Sequence, residues 1–179
     1  MTTANFGQVT RPGTQYGGYG GNSLVGMSFV APADVDKAVS ISFWCANFNA
    51  NRFFKGIIAL WSDRTIISNG ITNPSPTMPA VLPPLSATTA LFAVKPTLIP
   101  GTKYVLAAVI SGDFTFTFYV GNSPVGDSIP ASGESYVAPA SPIPAFAGNL
   151  RWGIFCTYDI AAAKPKGGNA IKLKGSGLI

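Results

Sequence analysis

The chain of 179 residues carries 12 basic and 7 acidic side chains, no histidine, and a charged fraction of only 11%. That length suits one domain with a sizeable core, and 47% apolar residues are enough to fill it. The missing histidine excludes Ser-His-Asp and Cys-His catalysis and histidine-ligated zinc, while 20 glycines and 15 prolines call for many turns without reaching a disordered composition.

Residues 1–22 include RPGTQYGGYGGN, which has neither a strand nor a helix period. They are expected as a Gly/Tyr-rich arm ordered by a neighbour, with Tyr16 and Tyr19 as its large contact groups. Ser23 to Val30 reads as the first strand, closed by Pro32. From Ala38 to Ala46 the pattern alternates strictly, Ile41, Phe43 and Cys45 on one side and Ser40, Ser42 and Trp44 on the other. A polar turn from Asn47 to Asn51 precedes an apolar strand from Phe54 to Trp61, which Ser62-Asp63-Arg64 turns into Thr65 to Ser68. A proline-rich loop then runs from Asn73 to Pro84. Prolines at 74, 76, 79, 83 and 84 stop the charge-free run from Thr65 to Val94 from crossing a membrane as a helix.

Thr88 to Val94 is strand-like, and Pro100-Gly101 leads into Tyr104 to Val109, which is apolar on both faces. Ser111-Gly112-Asp113 is expected to make a tight hairpin turn into a strand with Phe114, Phe116 and Phe118 on one face. Gly121 to Asn149 reads as a long loop with five prolines, a kind that usually serves a function or a partner. In the last strand, Leu150, Trp152, Ile154, Cys156 and Tyr158 share a face. The tail from residue 159 interleaves Lys164, Lys166, Lys172 and Lys174 with Ile171, Leu173, Leu178 and Ile179. Without those four lysines the body is close to neutral.

The pattern gives seven or eight strands, no helix and uneven spacing. The expected fold is all-β, a jelly-roll-like antiparallel β-sandwich of residues 23–158, with an N-terminal arm of residues 1–22 and a C-terminal basic arm of residues 159–179. No catalytic residue, cofactor or metal is expected. Each acid sits beside a turn signal rather than opposite a second carboxylate. Asp34-Val35-Asp36 offers too few oxygens for calcium, and no glycine run carries the GK[ST] of a phosphate loop. Cys45 and Cys156 lie within strands, read as buried free thiols with one disulfide as the alternative. The three tryptophans read as core residues, with a sugar platform as the alternative. Apolar residues among the tail lysines point to docking on protein rather than nucleic acid. Tyr16, Tyr19, Lys164, Lys166, Ile171, Lys172, Leu173 and Lys174 are therefore the candidate partner contacts.

Three stretches carry a resemblance: Leu60-Trp61-Ser62-Asp63, Gly101 to Ala108, and Phe116-Thr117-Phe118-Tyr119. Within residues 24–120 this order resembles a jelly-roll module of tailed-phage virion proteins. The resemblance implies a non-enzymatic virion protein, assembled in the host cytoplasm, that decorates or cements the capsid among other virion subunits and copies of itself. The other role it implies is a receptor- or glycan-binding domain of a tail fibre or baseplate.

Overall fold

The computed structural model describes residues 2–11, 14–19, 22–47, 53–76, 87–111, 116–122, 128–133, 135–144 and 150–162. They form thirteen strands and no helix. In chain order these are β1 (Thr3–Gly7), β2 (Thr14–Tyr19), β3 (Ser23–Val30), β4 (Val35–Phe43), β5 (Cys45–Asn47), β6 (Phe54–Leu60), β7 (Ile66–Ile71), β8 (Thr88–Leu91), β9 (Lys103–Ile110), β10 (Phe116–Asn122), β11 (Ser128–Gly133), β12 (Leu150–Trp152) and β13 (Ile154–Ile160).

The described strands form three antiparallel sheets: β1-β13-β4-β8, β11-β3-β9-β6-β7, and a smaller one in which β10 pairs with β12, β2 and β5; the first two make the sandwich. From β3 to β4 to β6, and from β8 to β9, the chain passes from one sheet to the other. That wrapping makes a jelly-roll-like antiparallel β-sandwich. β4 and β13 are interrupted at Trp44 and Gly153, where the Trp44 N–H donates to the Gly153 carbonyl at 2.7 Å. Beyond that point β5 continues β4 and β12 leads into β13, and β10 pairs with both as well as with β2.

The main core lies between the sheets. Ile41, Phe43, Cys45, Trp152, Ile154, Cys156 and Tyr158 come from one side, and Val25, Met27, Phe54, Ile58, Tyr104, Leu106 and Ala108 from the other. Their alternation is the one the sequence shows. The sheets approach so closely at Gly56 that an added Cβ would stand 2.6 Å from Ile41 Cγ1, so only glycine fits there. Both cysteines are buried thiols outside any disulfide, and burial pushes both well above their ordinary range.

A second core covers the outer face of the five-stranded sheet. Leu24, Ile57, Ala59, Val105, Ala107 and Val109 are buried there beneath Ile143, with Trp61, Ile66 and Tyr136 packed around them. This explains why the strand around Tyr104 to Val109 is apolar on both faces: β9 is a central strand with a core on each side. The cover is the segment 135–144, part of the stretch expected to serve a partner. It is pinned by the Ile143 N–H on the Arg64 carbonyl at 3.0 Å and by the Ile66 N–H on Ser141 Oγ at 3.1 Å. At its other end, Lys55 Nζ donates to the Tyr136 carbonyl at 3.1 Å and lies 4.7 Å from the centre of that ring.

Three expectations change. β9 and β10 are not a hairpin: β9 lies between β3 and β6, and β10 joins β2, β5 and β12. The turn signal at Ser111-Gly112-Asp113 does not set the pairing, because both hydrogen-bonding edges of β9 are taken by β3 and β6. Gly112 to Thr115, and with them Phe114, lie outside the described residues, as do the side chains of Phe116 and Phe118. The segment 1–22, expected as an arm apart from the body, supplies β1 and β2 to the sheets; β1 pairs with β13, and Phe6 is buried against Tyr158 with ring centres 5.8 Å apart. Finally, the Gly121 to Asn149 stretch contains β11, paired with β3.

Candidate interaction surface

The edge of the first sheet is built by β8 and the residues after it. Thr88 to Leu91 pair with Phe43 to Ser40. The chain then follows β4 to its start: the Phe92 N–H donates to Val39 O at 3.2 Å, Ala38 N–H to Pro96 O at 2.9 Å, and Leu98 N–H to Asp36 O at 2.8 Å. Ala90, Phe92 and Leu98 point into the core, which leaves Leu91, Val94 and Ile99 outside, each more than half exposed. Gly101, with φ of 73°, then turns the chain into β9, and its N–H donates to the Ala31 carbonyl at 3.0 Å. This turn sets Ile99 near the end of β3, where Val30 is 59% exposed.

The only charged side chain between Thr88 and Ile99 is Lys95, and it folds back onto the protein. Its Nζ lies 2.9 Å from Asp159 Oδ2, a carboxylate that is almost completely buried. The outer row of this edge is therefore aliphatic, with its one ammonium drawn away.

Beside Leu91 the edge meets a crossing segment. Residues 72–75 continue β7 along β6, exchanging backbone and hydroxyl bonds. Gly56 N–H donates to Thr72 Oγ1 at 2.8 Å and Phe54 N–H to Ser75 Oγ at 3.0 Å. The Asn73 N–H turns the other way, donating to the Leu91 carbonyl at 2.9 Å. This segment ties the two sheets together and leaves an open groove of about 420 Å³, lined by Asn73, Pro74, Ser75, Pro76, Thr89 and Leu91.

Several polar and aromatic groups among the described residues hold the fold. Tyr158 OH donates to Asp34 Oδ1 at 2.9 Å; burial, and then this carboxylate, hold the phenol above its usual range. Trp152 is buried, and Trp44 Nε1 donates to the Val9 carbonyl at 3.2 Å. The Lys103 ammonium sits 3.8 Å from the centre of the Trp61 ring, occupying the face a sugar would need. Among the described residues, no group of three His, Cys, Asp or Glu side chains stands where it could hold a metal ion.

Of the candidate contacts, Tyr16 and Tyr19 lie on β2, opposite Phe118 and Phe116 of β10 in the register. Lys164, Lys166, Ile171, Lys172, Leu173 and Lys174 lie outside the described residues. The exposed aliphatic edge was not among the sequence candidates, although its signal is present: Leu91 falls out of phase with Ala90 and Phe92. No protein-family model and no curated protein matches the chain.

Proposed function

We propose that this chain is a non-enzymatic structural protein of a phage virion, decorating or cementing the capsid through contacts with neighbouring subunits. One observation carries the reading. The acids, lysines and tryptophans described above are engaged within the fold, whereas Leu91, Val94, Ile99 and Val30 are aliphatic and open to solvent. Such a surface suits shape-fitting contact with another protein rather than chemistry on a small substrate. The resemblance to virion jelly-roll modules supports the same reading. Glycan binding is the weaker alternative, because Trp44, Trp61 and Trp152 are each engaged within the fold.

The test is imaging of purified particles carrying a labelled copy of the chain, beside a copy with Ile99→Asp and Val30→Asp. The labelled chain is expected at regular sites on the capsid shell, and the variant is expected to stay folded but lose occupancy. Label confined to the tail tip, or unchanged occupancy of the variant, overturns the proposal.

A further inference from the structure

A β-sandwich leaves strand edges, and an open edge is a template for another strand unless it is covered, bent or charged. Three edges of this sandwich are managed in that way. The β8 edge is met by the crossing segment, where the Asn73 N–H donates to the Leu91 carbonyl at 2.9 Å. β7 is bulged: Ile66 and Ile71 stand opposite Ala59 and Ile57, which leaves Ile67 to Gly70 against Ile58 alone, and Asn69 takes a φ of 59° there. The β11 register likewise shifts between Ile129 and Ser132. β1 has none of these devices. Its register with β13 runs without a shift from Thr3↔Asp159 to Gly7↔Phe155, and no charged side chain occurs from Thr2 to Thr10. Bonded pairs alternate along an antiparallel ladder. The Ile160 N–H donates to the Thr2 carbonyl and the Gln8 N–H to the Ile154 carbonyl, so the even-numbered residues of β1 direct their main-chain groups to β13. Thr3 and Asn5, both exposed, turn theirs outward, and among the described residues nothing bonds to them.

We propose that two copies of this chain pair through β1, antiparallel about a two-fold axis at Ala4, so that their four-stranded sheets join into one continuous sheet. The edge is complementary to itself. With Ala4 opposite Ala4 of the second copy, Thr3 falls opposite Asn5 and Asn5 opposite Thr3, and each such pair exchanges two N–H···O bonds. The unbonded pair at the axis brings Cα atoms to about 4.5 Å, an approach that alanine permits. Ala4 is half-buried at the margin of the core, and pairing covers it with its own counterpart. Side chains raise no obstacle. Asn5 Oδ1 already accepts from Thr157 Oγ1 at 2.7 Å, which holds that side chain over its own sheet. Asp159, across from Thr3, is neutralised by Lys95. A neutral edge repels no second copy, whereas it offers a charged partner no counter-charge. The two-fold contact also closes on itself, because each β1 becomes a central strand of the joined sheet. This pairing belongs to the isolated protein and stands or falls apart from the virion reading.

The test is sedimentation velocity of the full-length protein over about a hundredfold range of concentration. A monomer–dimer equilibrium is expected, and Asn5→Pro is expected to weaken the dimer at least tenfold. The proline removes the outward donor but leaves the Ala4 and Phe6 bonds to β13 in place, so the variant is expected to keep its fold in denaturant titration. In a second measurement, Ala4→Cys is expected to form a disulfide between two copies under oxidised glutathione, read as doubled mass on a non-reducing gel, because the axis sets the two thiols within bridging distance. Val137→Cys, 83% exposed on the segment covering the other sheet, is expected to close at least tenfold more slowly, and the native thiols are buried. A monomer at every concentration, a dimer indifferent to Asn5→Pro, or equal closure of the two cysteine variants each overturns the proposal.

Discussion

Two buried thiols and one buried phenol give this protein an alkaline limit to its stability. Unfolded thiols ionise above about pH 8.5 and an unfolded tyrosine above about pH 10; burial keeps Cys45 and Cys156 protonated well beyond the first point and holds Tyr158 above the second. A raised folded pKa contributes stability that is complete below the unfolded value and is lost as pH rises toward the folded one. Urea midpoints are thus expected to be unaffected by these groups near neutrality and to fall from about pH 9 upward, with Cys156→Ala and Cys45→Ala removing the thiol part of the slope. Lys95 makes a second test. Lys95→Ala strands the buried Asp159 carboxylate, and a loss of about 1–3 kcal/mol is expected in denaturant titration, at the low end because the ammonium is partly in water. An unchanged midpoint would mean that the buried carboxylate is equally well satisfied without Lys95.

Elements differ in how openly the sequence announced them. Ile143→Ala removes the one fully buried side chain of the covering segment 135–144. It is expected to cost about 2–5 kcal/mol, in line with a core position and far above a partner-binding loop. Phe6→Ala tests β1 in the same way: about 3 kcal/mol is expected from thermal or chemical unfolding, where a free arm would give none. β3, β4, β6 and β9 were legible because each runs seven to nine residues and is apolar on its inner face. β1, β2 and β11 were not, since TANFG, TQYGGY and SIPASG have little alternation and join the sheets by pairing with strands far away in sequence. The hairpin at Gly112 misled for a related reason: a local turn signal cannot reveal that β9 is claimed on both sides. The exposed aliphatic edge was half legible. Leu91 out of phase marks an exposed leucine, but the groove needs Asn73 brought from the other sheet, which no local pattern encodes.

Across the whole molecule, strands distant in sequence close the sandwich, and the β1–β13 ladder joins the two ends of the described chain. Thr3 stands opposite Asp159, and the Ile160 N–H donates to the Thr2 carbonyl at 3.0 Å, so residues 2 and 160 sit side by side at one corner of the first sheet. This arrangement decides how the protein responds to load. A pull applied between these two points acts across the strands, so the ladder from Thr3↔Asp159 to Gly7↔Phe155 is loaded one rung at a time, like a zipper. A pull between Leu24 and Val109, neighbours at one end of the β3–β9 ladder, likewise opens rungs in turn. Anchors at Leu24 and Lys103 instead lie at opposite ends of that ladder and load its rungs together in shear. Single-molecule extension through residues 2 and 160 is therefore expected to show early, low-force detachment of β1 followed by a separate rupture of the remaining sandwich. The shear geometry is expected to give one rupture at higher force. Equal forces in the two geometries would mean that the terminal ladder is locked by more than its own rungs.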